Sequence, residues 1–220
     1  MQARTLISST VRSISPEEFG NIALEMMDQF RVNHLAVVKK NVYLGVISDR
    51  EIMNWESEKD SIEKHLNNLA APYVLYNQHL FDIIEVLEKN NLSAVPVLNK
   101  ENKYLGMVKA SKLLYSIAKS ATIQSPGGVI VLEINDADYS LTEIASIIES
   151  NNTKILSSYI ISKPKSRKIE VTLKLNKQNT TAIIKDFERR EFNVSASYKN
   201  EESNYDIQER YESFMRFMNP

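Results

Sequence analysis

Leu35-Ala36-Val37-Val38-Lys39-Lys40-Asn41-Val42-Tyr43-Leu44-Gly45-Val46-Ile47-Ser48 is the stretch that sets the architecture, because the chain carries it twice. The second copy reads Val95-Pro96-Val97-Leu98-Asn99-Lys100-Glu101-Asn102-Lys103-Tyr104-Leu105-Gly106-Met107-Val108. Tyr-Leu-Gly recurs with Gly45 and Gly106 61 residues apart, and self-similarity at a fixed period marks a duplicated supersecondary unit. In each copy two apolar runs face one another across a short polar connection, 39–42 and 99–103, which predicts a hairpin.

Outward from the hairpins the order of signals is also repeated. A short apolar segment comes first, at 7–11 and at 69–75. A helix follows. In the first copy Ser15 stands as an N-cap with Pro16 at the first helical position, and Ile22, Ala23, Met26, Met27 and Phe30 recur at helical spacing. Leu80, Ile83, Ile84 and Leu87 do the same in the second copy. A further helix closes each hairpin, from Asp49 and from Ser111. The unit is β-α-β-β-α. It cannot bury both faces of its sheet alone, so the two copies are expected to pack as a pair.

The segment 122–128, with Pro126-Gly127-Gly128, breaks the pattern and reads as a linker. Beyond it come a strand at 129–134, a helix at 141–149 capped by Ser140, strands at 154–161 and 168–175, a helix at 180–191 and a strand at 192–198. That β-α-β-β-α-β order is ferredoxin-like. In the tail, Ile207, Tyr211, Phe214, Phe217 and Met218 form one apolar stripe of a helix at 205–218, set either to pack on its own domain or to meet a second chain. The expected fold is mixed α+β: repeats at 1–61 and 62–121, a linker at 122–128, a ferredoxin-like domain at 129–199 and an amphipathic helix at 200–220.

Bulk composition is that of an ordinary globular protein, 43% hydrophobic and 25% charged over 220 residues. A net charge of −1 leaves no global footprint for nucleic acid. The absence of cysteine removes disulfides, thiolate metal sites and cysteine nucleophiles together. No apolar run approaches the ~20 residues that span a bilayer, and the N-terminus has no signal-peptide core, so no membrane partner and a cytoplasmic location are expected. Catalysis is not expected either. His34, His65 and His79 share no metal-ligand spacing, no Gly-x-Ser-x-Gly elbow or phosphate loop occurs, and Asp136 and Asp138 have the spacing of turn formers.

The repeated unit resembles the CBS domain, the module named after cystathionine β-synthase. The resemblance is carried by Asn33-His34-Leu35-Ala36-Val37-Val38 with Leu44-Gly45-Val46-Ile47-Ser48-Asp49-Arg50-Glu51-Ile52, and by Val95-Pro96-Val97 with Gly106-Met107-Val108. The family's wording is an apolar strand with Pro-Val, then Gly-apolar-apolar-Ser/Thr-x-x-Asp. Residues 129–199 are similar to an ACT domain, and the combined order is similar to that of acetoin-utilization-type CBS–ACT proteins. The resemblance implies a Bateman module, a non-catalytic regulatory pair that takes an adenine nucleotide (AMP, ADP or ATP) in a cleft between the copies and forms a homodimer that regulates another protein. No cofactor is required.

By that resemblance, the first nucleotide site comprises Val11, Arg12, His34, Leu35 and Ala36 around the base, Ser48 and Arg50 at phosphate, and Glu51 at the ribose in place of the family's Asp. Read from the residues alone, Ser48 and Glu51 equally suit the cap and first-turn acid of a helix, and His34 a half-buried strand position. The matching second set is Val74, Ala94, Val95, Pro96, Lys109, Ser111 and Lys112. Here two lysines replace the Ser/Thr and the carboxylate, and an ammonium cannot accept ribose hydroxyls. This half-site is therefore expected to be weakened, its lysines either solvated or turned to a polyphosphate. In the ACT-like part Asn135, Asp136 and Tyr139 could hold an amino acid, although the family's loop glycine is missing. Two alternatives stand beside nucleotide sensing: a dimerising scaffold that has lost its ligand, and amino-acid sensing by the C-terminal domain.

Overall fold

Lys40 and Asn41 both adopt left-handed backbone, φ 49° and 66°, and make the two-residue turn between β1 (His34–Lys39) and β2 (Val42–Ser48). Turns of this hand match the twist of the strands they join. A computed structural model of the chain describes residues 1–119, 121–163 and 166–198, so the helix expected at 205–218 lies outside the described residues. β1 and β2 pair antiparallel from His34↔Ser48 to Lys39↔Val42. In the second copy β3 (Val74–Leu75) lies parallel beside β4 (Ala94–Leu98), which pairs antiparallel with β5 (Tyr104–Lys109). The Asn99 side-chain oxygen accepts the backbone N–H groups of Glu101 and Lys103 and so folds that longer turn.

Helices flank both hairpins. α1 (Gly20–Phe30) buries Ala23 and Met27, and α2 (Asp49–Met53) buries Ile52. α3 (Leu80–Lys89) buries Leu80, Ile83 and Leu87 but leaves Ile84 40% exposed, and α4 (Ala110–Ala118) buries Leu113. Three expectations are corrected. Ser15 does not cap α1: the Glu18 N–H donates to the Ser15 carbonyl, closing a turn over Pro16 and Glu17. α1 starts at Gly20 instead, where the Gly20 and Asn21 N–H groups donate to the Asp60 and Glu58 carbonyls at 3.1 and 2.7 Å. No strand forms at 7–11, where Ser8 and Thr10 hydrogen-bond one another and compete with a ladder; an isolated parallel bridge, Ile14↔Val37, takes its place. The strand expected at 69–75 shrinks to Val74–Leu75, because Pro72 has no N–H to give.

The repeats exchange lead-in segments. Residues 1–8 run across the second repeat: Ala3, Leu6 and Ile7 pack with Val95, Val97 and Val108, and the Ser8 N–H donates to the Met107 carbonyl at 2.8 Å. Residues 61–72 run across the first: Ile62 joins the core of Leu35, Val37 and Ile47, and the Val46 N–H donates to the Ala70 carbonyl at 2.8 Å. This explains the glycine of the repeated Tyr-Leu-Gly. A Cβ on Gly45 would stand 2.8 Å from the Leu69 side chain, and one on Gly106, where φ is +145°, 2.5 Å from that of Ile7. The two hairpins meet at Val42↔Lys103, and Ala94 and Met107 of the second repeat complete the core of the first.

The chain divides between Ala118 and Lys119 into two units. In the second, a short helix, α5 (Ala121–Gln124), precedes β6 (Val129–Asn135); Thr122 donates to the Leu156 carbonyl. α6 (Leu141–Ser150), capped by Ser140, is followed by β7 (Ile155–Ser162) and β8 (Lys168–Leu175), then by α7 (Thr181–Arg189) and β9 (Asn193–Tyr198). The strands form one antiparallel sheet in the order β7-β8-β6-β9, the ferredoxin-like arrangement. Ile130, Leu132 and Ile134 alternate toward α6 and α7 and meet Ile144, Ile147, Ile183 and Phe187 in a separate core. On the opposite face Glu133 receives Lys163 and Lys168 at 2.7 and 2.8 Å; their ammoniums hold its carboxyl down near pKa about 2. The fold is mixed α+β, as expected.

Candidate functional site

The pairing His34↔Ser48 brings the start of β1 and the end of β2 together, so residues 33–34 and 48–50 sit side by side. The Asp49 N–H donates to the Asn33 carbonyl at 3.1 Å, and the Ala110 N–H to the Ser93 carbonyl at 3.0 Å in the second repeat. Asn33 and Ser93, equivalent residues of the two copies, then join the repeats directly: the Asn33 N–H donates to Ser93 Oγ at 2.8 Å. Beside this seam opens a cleft of about 330 Å³ lined by Asn33, His34, Ser48, Asp49, Arg50, Asn91, Leu92 and Ser93. It draws on both repeats, and its size is at the lower end for small-molecule sites.

His34 is held in one protonation state by the seam. Its Nδ1 accepts the Ser93 N–H at 3.2 Å and lies 3.1 Å from Ser93 Oγ. An accepting Nδ1 carries a lone pair, so the ring is the neutral tautomer with its proton on Nε2. Burial lowers the His34 pKa from its ordinary 6.5, against the opposing pull of the Asp49 and Glu51 carboxylates; Arg50 adds to the lowering. A base with a depressed folded pKa stabilises the fold fully above its unfolded pKa and loses that contribution as pH falls toward the folded value. The N-terminal unit should accordingly lose stability as pH drops below about 6.5. His34→Gln, which keeps an acceptor but cannot titrate, should flatten that part of the pH profile of urea unfolding. An unchanged profile would exclude this role for His34.

At the start of α2, Ser48 and Glu51 form a reciprocal capping box. The Ser48 N–H and hydroxyl both donate to Glu51 Oε2 at 2.7 Å, and the Glu51 N–H donates to Ser48 Oγ at 3.2 Å. Asp49 accepts from Asn33 Nδ2 at 2.5 Å and from the Arg50 N–H at 2.7 Å. The exposed Arg50 guanidinium has no hydrogen bond or ion pair among the described residues.

Of the eight residues expected at the first site, His34, Ser48 and Arg50 line the cleft. Glu51 lies just behind it in the capping box. Leu35 and Ala36 are fully buried, Val11 nearly so, and all three belong to the core, while Arg12 is exposed. Asn33, Asp49, Asn91, Leu92 and Ser93 complete the lining. The signal for two of them lay in the repeat itself, since Asn33 and Ser93 each immediately precede an apolar strand. In the second set Val74 and Val95 sit in the core of the second repeat, Ala94 in that of the first, and Pro96 is buried opposite Met107. Ser111 is exposed. The two lysines are half-buried: Lys109 Nζ donates to the Phe30 carbonyl at 2.6 Å and Lys112 Nζ to the Ile7 carbonyl at 2.7 Å. The expectation that they are solvated is corrected.

In the second unit, Asn135 and Asp138 line two cavities, of about 420 and 570 Å³, and Asp136 lines the larger. Asn135 Nδ2 donates to Asp138 Oδ2 at 2.9 Å, and the Asp136 N–H to the Arg167 carbonyl at 2.8 Å. Tyr139 packs on the core instead. Among the described residues no group of three or more His, Cys, Asp or Glu is arranged to hold a metal ion, and no helix is long and apolar enough to cross a membrane.

Residues 3–58 and 68–119 match the model of the CBS domain family. Similar solved structures include a CBS domain pair/ACT domain protein from Thermotoga maritima, 14% identical, covering 55% of this chain and 99% of that one with a TM-score of 0.48. The CBS domains of a transcriptional regulator from Streptococcus pneumoniae are 14% identical over 52% of this chain and 98% of that one, TM-score 0.46. CBSX2, solved in complex with AMP, is 17% identical over 54% of this chain and 96% of that one, TM-score 0.44. The N-terminal half of this chain is a tandem pair of CBS domains.

Proposed function

We propose that the pair is a non-catalytic sensor that binds one adenine nucleotide in the cleft of Asn33, His34, Ser48, Asp49, Arg50 and Asn91–Ser93. The observation that carries this reading is the unengaged Arg50 guanidinium at the mouth of a polar cleft that both repeats line. A guanidinium suits a phosphate, and the His34 Nε2–H is a second donor. Of the two acids at the start of α2, Asp49 lines the cleft whereas Glu51 is turned into the capping box, so Asp49 is the better acceptor for ribose hydroxyls. A ligand that touches both repeats favours one spacing between them, which is what a regulatory signal requires. On this reading residues 1–61 and 62–121 are the sensor, and 129–199 an ACT-like module through which a homodimer and a regulated protein are engaged.

Calorimetry with AMP, ADP and ATP tests the reading. Arg50→Gln should weaken binding about 10- to 100-fold, the loss of one charge-assisted hydrogen bond, and Asp49→Ala should weaken it more than Glu51→Gln. No heat with any of the three nucleotides would favour the scaffold alternative. Amino-acid binding by the second unit is a second reading, favoured by the two cavities that meet at Asn135 and Asp138. A thermal-shift screen of amino acids on the full chain tests it, and Asp136→Ala should abolish any shift found.

A further inference from the structure

The two halves of the pair differ at equivalent positions, and the structure gives that difference a physical form. Ser48 and Glu51 bond to one another across a single turn of chain. Lys109 and Lys112, 61 residues on from each, bond instead to carbonyls 79 and 105 residues away in sequence. Phe30 is the last residue of α1, so its carbonyl is one of those a helix leaves without an intrahelical donor, and a cation at a helix C-terminus is favourably placed. Ile7 belongs to the segment whose side chain fills the space left by Gly106. The same two side chains therefore tie the end of α1 and the N-terminal segment to the second repeat.

We infer that Lys109 and Lys112 are internal occupants of the second half-site: they close it against a ligand and clamp the two repeats, so that the pair takes one nucleotide per chain. The inference deepens the nucleotide reading and rests on it for its ligand, but the clamp is separable from any ligand. Two half-buried ammoniums already donating to carbonyls have lost much of their hydration, and an incoming phosphate gains their charge only by taking them from Phe30 and Ile7, leaving those carbonyls without the donors they now have. A ribose has no acceptor there, because the positions of Asp49 and Glu51 hold Ala110 and Lys112.

Two arms test this on the full-length chain. In hydrogen–deuterium exchange without ligand, Lys109→Met and Lys112→Met, which keep an apolar stem but lose the donor, should speed exchange around residues 28–32 and 5–9 respectively. Exchange unchanged in both overturns the clamp. In calorimetry with AMP, the native chain should bind one equivalent, and the variant Lys109→Ser/Ala110→Asp/Ser111→Arg/Lys112→Glu, which gives the second half the residues Ser48 to Glu51 of the first, should bind two. Two equivalents in the native chain overturn the inference while the nucleotide reading stands. One equivalent in both proteins overturns the claim that the lysines are what close the second half-site. No binding in either overturns the nucleotide reading, and the clamp then stands or falls on the exchange arm.

Discussion

Gly106→Ala should lower the melting temperature of the N-terminal unit by about 10 °C. Two costs combine. The backbone at Gly106 has φ +145°, a conformation reserved for glycine, and a side chain held there costs of order 1–3 kcal/mol. The new Cβ also stands 2.5 Å from the Ile7 side chain, and overpacking of this kind costs about 1–3 kcal/mol. A sum near 3 kcal/mol corresponds to roughly 10 °C for a unit of this size. Gly45→Ala is the control. It meets Leu69 at 2.8 Å and the Ala70 carbonyl at 3.0 Å but carries no unfavourable φ, so its loss should be smaller. Circular dichroism on both variants decides the matter. If Gly45→Ala is the more damaging, or if Gly106→Ala melts with the native chain, the account of why glycine recurs in Tyr-Leu-Gly is wrong.

Phe187→Ala should remove about 3–5 kcal/mol from the C-terminal unit, the usual cost of emptying a core of a buried aromatic ring. Phe187 is fully buried between α7 and the sheet, and its ring meets Phe192 edge-on at 5.4 Å. That core shares no residue with the two cores of the CBS pair. The single tryptophan, Trp55, lies in the first unit, packed against its core and stacked on His65. The variant should therefore shift the unfolding transition seen by circular dichroism and leave that seen by tryptophan fluorescence in place. A fluorescence transition that moves with it would mean that the units unfold as one.

Most elements were legible because local signals agreed with tertiary need. The hairpins show paired apolar runs across short polar turns, and β8 shows strict alternation from Lys168 to Leu175. What the sequence did not disclose depends on segments brought from elsewhere. Ser15-Pro16 has the chemistry of a helix start, yet α1 begins later, because acceptors for its first N–H groups arrive from Glu58 and Asp60. The apolar run at 7–11 cannot become a strand while Ser8 and Thr10 bond to one another. The cleft follows the same rule. His34, Ser48 and Arg50 stand in the stretch that carries the CBS resemblance, whereas Asn91 and Leu92 come from a turn after α3 whose role exists only once the second repeat faces the first.

The exchanged lead-in segments have a consequence for vectorial synthesis. Ala3 and Leu6 leave the ribosome ahead of their core partners Val95, Val97 and Val108, which follow about a hundred residues later. At ~5–20 residues per second that is a wait of roughly 5–20 seconds before the core around this segment is complete. The first repeat is likewise unfinished until Ile62, Ala94 and Met107 emerge. The smallest stretch that can fold on the ribosome is thus the duplicated pair rather than the single repeat, and a nascent chain arrested at residue 61 should remain open to protease.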